Sequence, residues 1–85
     1  MRRREVAREI RTAARTWLER ANEEGALSTL AAIYRSDAAD LMKIAHLVDE
    51  GKIQRARDEA NFDTIVRDQL PNSFFDLLKK HDVNW

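Results

Sequence analysis

Apolar residues recur at helical spacing along the first 24 residues, and this feature constrains the fold of the chain most. At about 100° per residue they fall within one arc of about 140° on a helical wheel. The residues of this arc are Val6, Ala7, Ile10, Ala13, Ala14, Trp17, Leu18 and Ala21. No glycine or proline interrupts the segment, and Gly25 stands where glycine commonly ends a helix. We therefore predict a core-facing amphipathic helix from about Arg3 to Glu24.

The middle of the chain keeps the same spacing from Ala26 to Glu50, where Gly51 again marks an expected helix end. Ser36 and Asp37 are residue types that favour helix N-caps, so they can divide this stretch into a short and a longer helix. The pattern is equally compatible with one continuous helix. Both alternatives remain open from the sequence alone.

The last third of the sequence predicts further, shorter helices. Residues 52–60 are rich in strong helix formers. Pro71 should end the following helix at Leu70, because proline disfavours helical geometry in the residue before it. The candidate N-cap residues are Asn61 and Asp63 for that helix, and Asn72 or Ser73 for the last one.

The composition is that of a helical globular protein, with only two glycines and one proline against 44% apolar residues. We predict one domain, residues 1–85, folded as a compact all-α bundle of four to six helices. Its expected aromatic core residues are Trp17, Phe62, Phe74 and Phe75. Adjacent side chains on a helix point in different directions, so one of the last two phenylalanines is expected to approach the surface.

The sequence also lacks the features of several protein classes. The absence of cysteine excludes disulfides, thiolate zinc sites and cysteine nucleophiles. The longest apolar run, residues 30–34, is too short to span a membrane, and we expect a cytoplasmic protein.

His46 lies at metal-ligand spacing from Asp49 and Glu50, but one helical turn supplies too few ligands. Without a phosphate-binding loop or a catalytic triad, we predict a non-enzymatic protein with no cofactor and no metal site.

Charge is distributed unevenly along a chain whose formal net charge is zero. Residues 1–20 contain seven arginines and three glutamates, whereas residues 21–85 contain eight basic and twelve acidic residues. Four arginines fall within about 60° on the helical wheel, immediately beside the apolar arc. They are Arg4, Arg8, Arg11 and Arg15. Because like charges at this spacing repel one another, this row is expected to face an acidic surface.

Three surfaces can supply that acidity: the rest of this chain, a second copy in a homodimer, or an external partner. An external partner is either an acidic protein or a phosphate backbone, which the row can follow for roughly 16 Å. We favour an acidic protein surface over nucleic acid. Trp85, the last residue of the sequence, either packs back on the domain or anchors a partner, since tryptophan is enriched among binding hot spots. The candidate binding residues are therefore the four arginines and Trp85.

The stretch TLAAIYRSDAADLMKIAHLVDEGKIQRAR resembles, over residues 30–57, the core of a winged-helix DNA-binding domain. The resemblance rests on the pair Leu30 and Ala31, a candidate recognition helix from Asp37 to Val48, and the exit DEGKI at residues 49–53. It implies a small β-wing at residues 52–69 and a transcriptional regulator. However, Asp37 and Asp40 would oppose the DNA phosphates, and RARDEAN is typical of a helix rather than a strand. The winged helix is therefore our second interpretation.

Small size, the lack of cysteine and many arginines and aspartates also resemble the accessory inhibitors of phages and plasmids. This resemblance implies a helical protein that acts by binding another protein. Together with the arginine row, it predicts a non-enzymatic regulatory or inhibitory protein. The alternative is a DNA-binding regulator of the winged-helix class.

Overall fold

The computed structural model describes residues 2–25 and 27–85, which form five helices. They are α1 (Arg3–Glu24), α2 (Thr29–Asp49), α3 (Ile53–Ala60), α4 (Thr64–Asp68) and α5 (Asn72–Lys80). Helices α1 and α2 lie side by side as a long antiparallel hairpin, and this hairpin sets the 42 Å length of the molecule. The short helices pack against the half of the hairpin that contains the start of α1 and the end of α2. The prediction of an all-α fold with four to six helices is confirmed.

The winged-helix interpretation is wrong, because the described residues contain no strand. The segment predicted as its wing, residues 52–69, forms α3, a turn and α4 instead. Helix formers dominate this segment, and Gln54 donates a hydrogen bond to Asp58 one turn later, at 3.1 Å. The local preference for helix therefore decides the structure of this segment.

The ends of the long helices follow from glycines and one serine. Helix α1 has the predicted bounds, and Gly25 after it has a φ of +87°, which favours glycine. Helix α2 begins after Ser28, whose hydroxyl accepts a hydrogen bond from the Ala31 amide at 3.3 Å. Ala26, the predicted first residue of this segment, lies outside the described residues. Gly51, with a φ of +78°, follows the end of α2 as expected.

Helix α2 runs without interruption through Ser36 and Asp37, so the question of one helix or two is answered in favour of one. Neither residue caps a helix, because the apolar face of α2 continues across them. Ala31, Ala38 and Leu41 on this face are all buried. A break at Ser36 would separate these contacts, and burial of a continuous apolar face outweighs the weak preference of two polar residues for helix ends.

The main core lies between the hairpin and the short helices. Its largest fully buried side chains are Phe74, Ile10, Leu41, Ile44, Leu77, Val6, Val48 and Val66. Toward the hairpin tip the core reaches Trp17, whose ring packs on Tyr34 with centroids 4.8 Å apart. Beyond this pair Ala21 and Ala31 are still buried, but the large apolar side chains are exposed, including Leu18, which was predicted to face the core. Leu18 is 38% exposed, and Leu27, which precedes α2, is fully exposed.

Two further predictions for the last third of the chain are wrong. Phe62, predicted to be in the core, lies in the turn between α3 and α4 and is 84% exposed. Asn61 and Phe62 follow the buried end of α3 at Ala60, and both side chains are exposed to solvent. Neither Asn72 nor Ser73 caps α5: both are within the helix, and Ser73 donates its hydroxyl hydrogen bond to the Glu9 carboxylate. That bond joins α5 to α1.

Candidate anion-binding groove on the first helix

The row of arginines predicted on α1 lines one surface groove of about 720 Å³. Helical spacing places the four predicted arginines on one side of α1, next to the residues that face α2. The groove is lined by Arg2, Arg3, Arg4, Arg8, Arg11, Arg15 and Asp49. The structure therefore brings all four predicted arginines together and adds two more from the start of the chain.

Asp49 is the one carboxylate among the described residues that line this arginine groove. It stands at the end of α2, and its Oδ2 lies 2.7 Å from Nη2 of Arg11. Arg4, Arg8 and Arg15 are exposed and form no ion pair within residues 2–25 and 27–85. Asp49 thus neutralises the positive charge of Arg11 in the middle of the row. The positive charges of Arg4, Arg8 and Arg15 on either side of Arg11 are not neutralised in this way.

Basic residues extend beyond the groove toward α5. A second hollow of about 460 Å³ is lined by Arg2, Arg3, Leu77, Lys80 and His81. The Arg3 guanidinium also lies directly over Gly51, where a Cβ atom would overlap it. Arg2 and Arg3 belong to the arginine run at the start of the sequence, but helical spacing does not place them in the row. Spacing along the chain did not predict that Lys80 and His81 lie beside these arginines, because only the packing of α5 on α1 brings them together.

The chemistry of the groove is that of anion recognition. A guanidinium stays protonated at physiological pH and presents five N–H donors in a planar fork that matches carboxylates and phosphates. Several such groups on one rigid helix give a positive surface of fixed geometry. No nucleophile paired with a base is found among the described lining residues. The arrangement is therefore suited to binding anions.

Trp85, the fifth predicted binding residue, lies apart from the arginine groove. Its ring packs edge-on against Phe75, with centroids 5.4 Å apart, and remains 39% exposed. Arg57 holds the adjoining backbone by donating to the Asn84 carbonyl at 2.9 Å and to the Trp85 carbonyl. The Arg67 guanidinium lies 5.7 Å from the ring centroid. The structure thus packs Trp85 against the domain and leaves part of its ring accessible.

Side chains that can hold a metal ion lie elsewhere. His46, considered with Asp49 and Glu50, instead pairs with Glu50 at 2.9 Å along the exposed side of α2. Asp37, Asp40 and Asp63 form a different group, in which one oxygen from each residue lies within 4.8 Å of the others. In the sequence these aspartates were candidates for helix caps or for part of a recognition helix. Their convergence depends on the packing of α4 on α2, which spacing along the chain does not reveal.

The fold and the groove together define a class: a small all-helical protein in which a two-helix hairpin carries short helices and an arginine-lined surface. Comparison with protein-family models, with curated proteins and with solved structures finds no match. None of the described helices combines the length and the apolar character needed to cross a bilayer. The function is accordingly inferred from the geometry of the groove.

Proposed function

We propose that this protein is a small non-enzymatic regulator that binds an acidic surface of another protein through the arginine groove. The observation that supports this function is the local excess of charge: six arginines line the groove with one aspartate among its described residues. Like charges held this closely destabilise a helix unless anions approach them. An acidic partner supplies those anions and stabilises the groove on binding.

Three properties support a protein partner over a nucleic acid. The formal net charge of the chain is zero, so long-range attraction to a polyanion is weak. Residues 21–85 contain twelve acidic and eight basic residues, and this excess of negative charge would repel a phosphate backbone that wrapped around the domain. Apolar side chains are also exposed near the hairpin tip, as is common for surfaces that bind proteins. These side chains are Leu18, Leu27, Leu30 and Ile33.

A regulator of this kind acts by covering a surface of its partner rather than by transforming it. The groove is broad and shallow, and its arginines offer charge-assisted hydrogen bonds to several carboxylates at once. The resemblance in size and composition to accessory inhibitors of phages and plasmids extends this proposal to inhibition. Occupation of an acidic functional surface would block its normal ligand.

Charge reversal with a matched control tests the proposal. Arg4→Glu/Arg8→Glu reverses two exposed arginines of the groove and spares the Arg11–Asp49 ion pair. Arg35→Glu/Arg55→Glu makes the same change in net charge at exposed sites on α2 and α3. In affinity capture from a nuclease-treated lysate of the native host, wild type and control should retain a common protein that the groove variant loses. Circular dichroism should show equal helicity for all three proteins.

Other outcomes would contradict binding of an external protein through the arginine groove. Capture that survives in Arg4→Glu/Arg8→Glu would show that the arginines are merely solvated. Binding of mixed duplex DNA that weakens steeply with salt, and is lost in this variant, would indicate a phosphate partner instead. A dimer in sedimentation equilibrium that dissociates in the same variant would assign the acidic surface to a second copy.

A further inference from the structure

Three aspartates converge where the turn before α4 meets α2. Asp37 and Asp40 are three residues apart on α2 and therefore share one side of the helix. Asp63 is the N-cap of α4, where its Oδ1 accepts a hydrogen bond from the Ile65 amide at 2.9 Å. One oxygen of each carboxylate lies within 4.8 Å of the other two. We call this group the aspartate cluster.

The buried member of the aspartate cluster lacks a hydrogen-bond partner. Asp37 is only 4% exposed, and its Oδ2 receives no hydrogen bond from the described part of the chain. A buried carboxylate oxygen without a donor costs free energy, because the water that solvated it is not replaced. The nearby Lys43 is paired with Glu59 at 3.1 Å, outside the cluster. The cluster is therefore short of positive charge at its buried end.

We propose that the aspartate cluster binds a hard divalent cation, Mg²⁺, Ca²⁺ or Mn²⁺, which joins α4 to α2. Such ions prefer carboxylate oxygens at roughly 2.0–2.6 Å, so ligands on opposite sides of one ion are about 4–5 Å apart. The spacing of the three oxygens lies within this limit. Asp37 supplies the ligand from the buried side, and water completes the coordination on the exposed side of Asp40.

The electrostatics of the aspartate cluster agree with this assignment. Burial raises the pKa of Asp37 above its ordinary value, and the charges of Asp63 and Asp40 raise it further. Burial also raises the pKa of Asp40, with contributions from Asp63 and Glu59 and an opposing one from Lys43. All of these effects except the charge of Lys43 penalise the ionised carboxylates. A bound divalent cation reverses this penalty, since it interacts favourably with every charge in the cluster.

A bound cation would mainly stabilise α4 against local opening. This helix has only five residues, one turn and a half, and Val66 is its buried side chain. Short helices with few buried contacts open locally at low free-energy cost. A cation held between Asp63 and α2 would therefore protect the amides of residues 64–68, and it would do so independently of the arginine groove.

The test uses chelator-treated full-length chain, titrated separately with MgCl2, CaCl2 and MnCl2 and with KCl at matched ionic strength. At about ten times the dissociation constant, at least one divalent ion should raise Tm by about 5–10 °C beyond the KCl reference. Amide exchange in residues 64–68 should slow in parallel. Asp37→Asn and Asp40→Asn should each raise the dissociation constant of the ion about tenfold or more, because ligand charge sets the affinity of such sites. Asp76→Asn, an exposed change on α5, should respond as wild type does.

Two results would overturn the proposal. One is the absence of any ion-specific change in Tm, together with no Mn²⁺ binding detected by electron paramagnetic resonance up to 10 mM, about ten times the weakest dissociation constants of such sites. The other is a response of unchanged size in both cluster variants, which would place the ion elsewhere. Asp40 is exposed, so Asp40→Asn keeps the test decisive even where Asp37→Asn alters folding.

Discussion

Arg11 and Asp49 form an ion pair, with 2.7 Å between Nη2 and Oδ2, that joins the middle of α1 to the end of α2. Both side chains are about one third exposed, so the pair contributes only about 0.5 kcal/mol to the free energy of unfolding. Its larger effect is electrostatic, because Asp49 brings a carboxylate into a groove otherwise lined by arginines.

Removing that carboxylate should improve anion binding. We expect Asp49→Asn to strengthen the affinity for a polyglutamate peptide about two- to threefold at low salt, which corresponds to roughly 0.5 kcal/mol for one exposed charge. Its Tm should change little. Fluorescence anisotropy with a labelled peptide measures the affinity, and Asp76→Asn serves as the control for net charge. Weaker binding by Asp49→Asn would mean that Arg11 needs this partner to be held in position.

Two serines of the second helix should respond in opposite directions to alanine. Ser28 caps α2, so Ser28→Ala should lower the free energy of unfolding by about 1 kcal/mol. Ser36 is exposed in the helix interior, so Ser36→Ala should raise it by about 0.5 kcal/mol, the difference in helix propensity. Urea denaturation measures both values. A loss of stability in Ser36→Ala would point to a break in α2 at this residue.

Phe74 and Phe62 differ in burial, so their replacement by alanine should change the free energy of unfolding by different amounts. Phe74 is completely buried, so Phe74→Ala should cost about 3–5 kcal/mol, enough to leave a domain of this size close to unfolding. Phe62→Ala should stay within about 0.5 kcal/mol of wild type, because that side chain is largely solvated. Thermal denaturation followed by circular dichroism distinguishes them. A similar loss for both would place Phe62 in an interface with another copy.

Trp85 should contribute measurably to stability through its ring. Trp85→Ala removes the edge-on contact with Phe75 and should cost about 1 kcal/mol. Trp85→Phe preserves an aromatic edge contact and should recover much of that loss. Chemical denaturation compares the three proteins, and the capture experiment then tests whether the exposed part of Trp85 also anchors a partner. Unchanged stability in Trp85→Ala would indicate that the ring is not packed against the domain in solution.

The aspartate cluster should destabilise the protein when divalent cations are removed. With chelator present, Asp37→Asn should raise Tm, since burial and neighbouring carboxylates raise the pKa of Asp37 and penalise its charge. Asp76→Asn, on the exposed side of α5, should leave Tm nearly unchanged. Differential scanning calorimetry measures both. A lower Tm in Asp37→Asn would show that its carboxylate forms a stabilising interaction without any cation.

Much of the fold could be predicted because it depends on neighbours along the chain. The bounds of α1 followed from its apolar period and Gly25, and the same period placed Arg4, Arg8, Arg11 and Arg15 on one side of the helix. The position of Phe62 could not be predicted in this way. An apolar residue in a turn is buried only when another element covers it, and spacing contains no information about that element.

Local sequence patterns were sufficient for the first helix, its apolar face and the row of arginines, because each arises from interactions within a few residues. The continuity of α2 and the pairing of acids with bases depended on the tertiary packing. It paired Arg11 with Asp49, added Lys80 and His81 to the basic surface, and brought Asp63 to Asp37 and Asp40. These contacts join residues far apart in the chain, and they form because burial of the common core sets the helices in one arrangement.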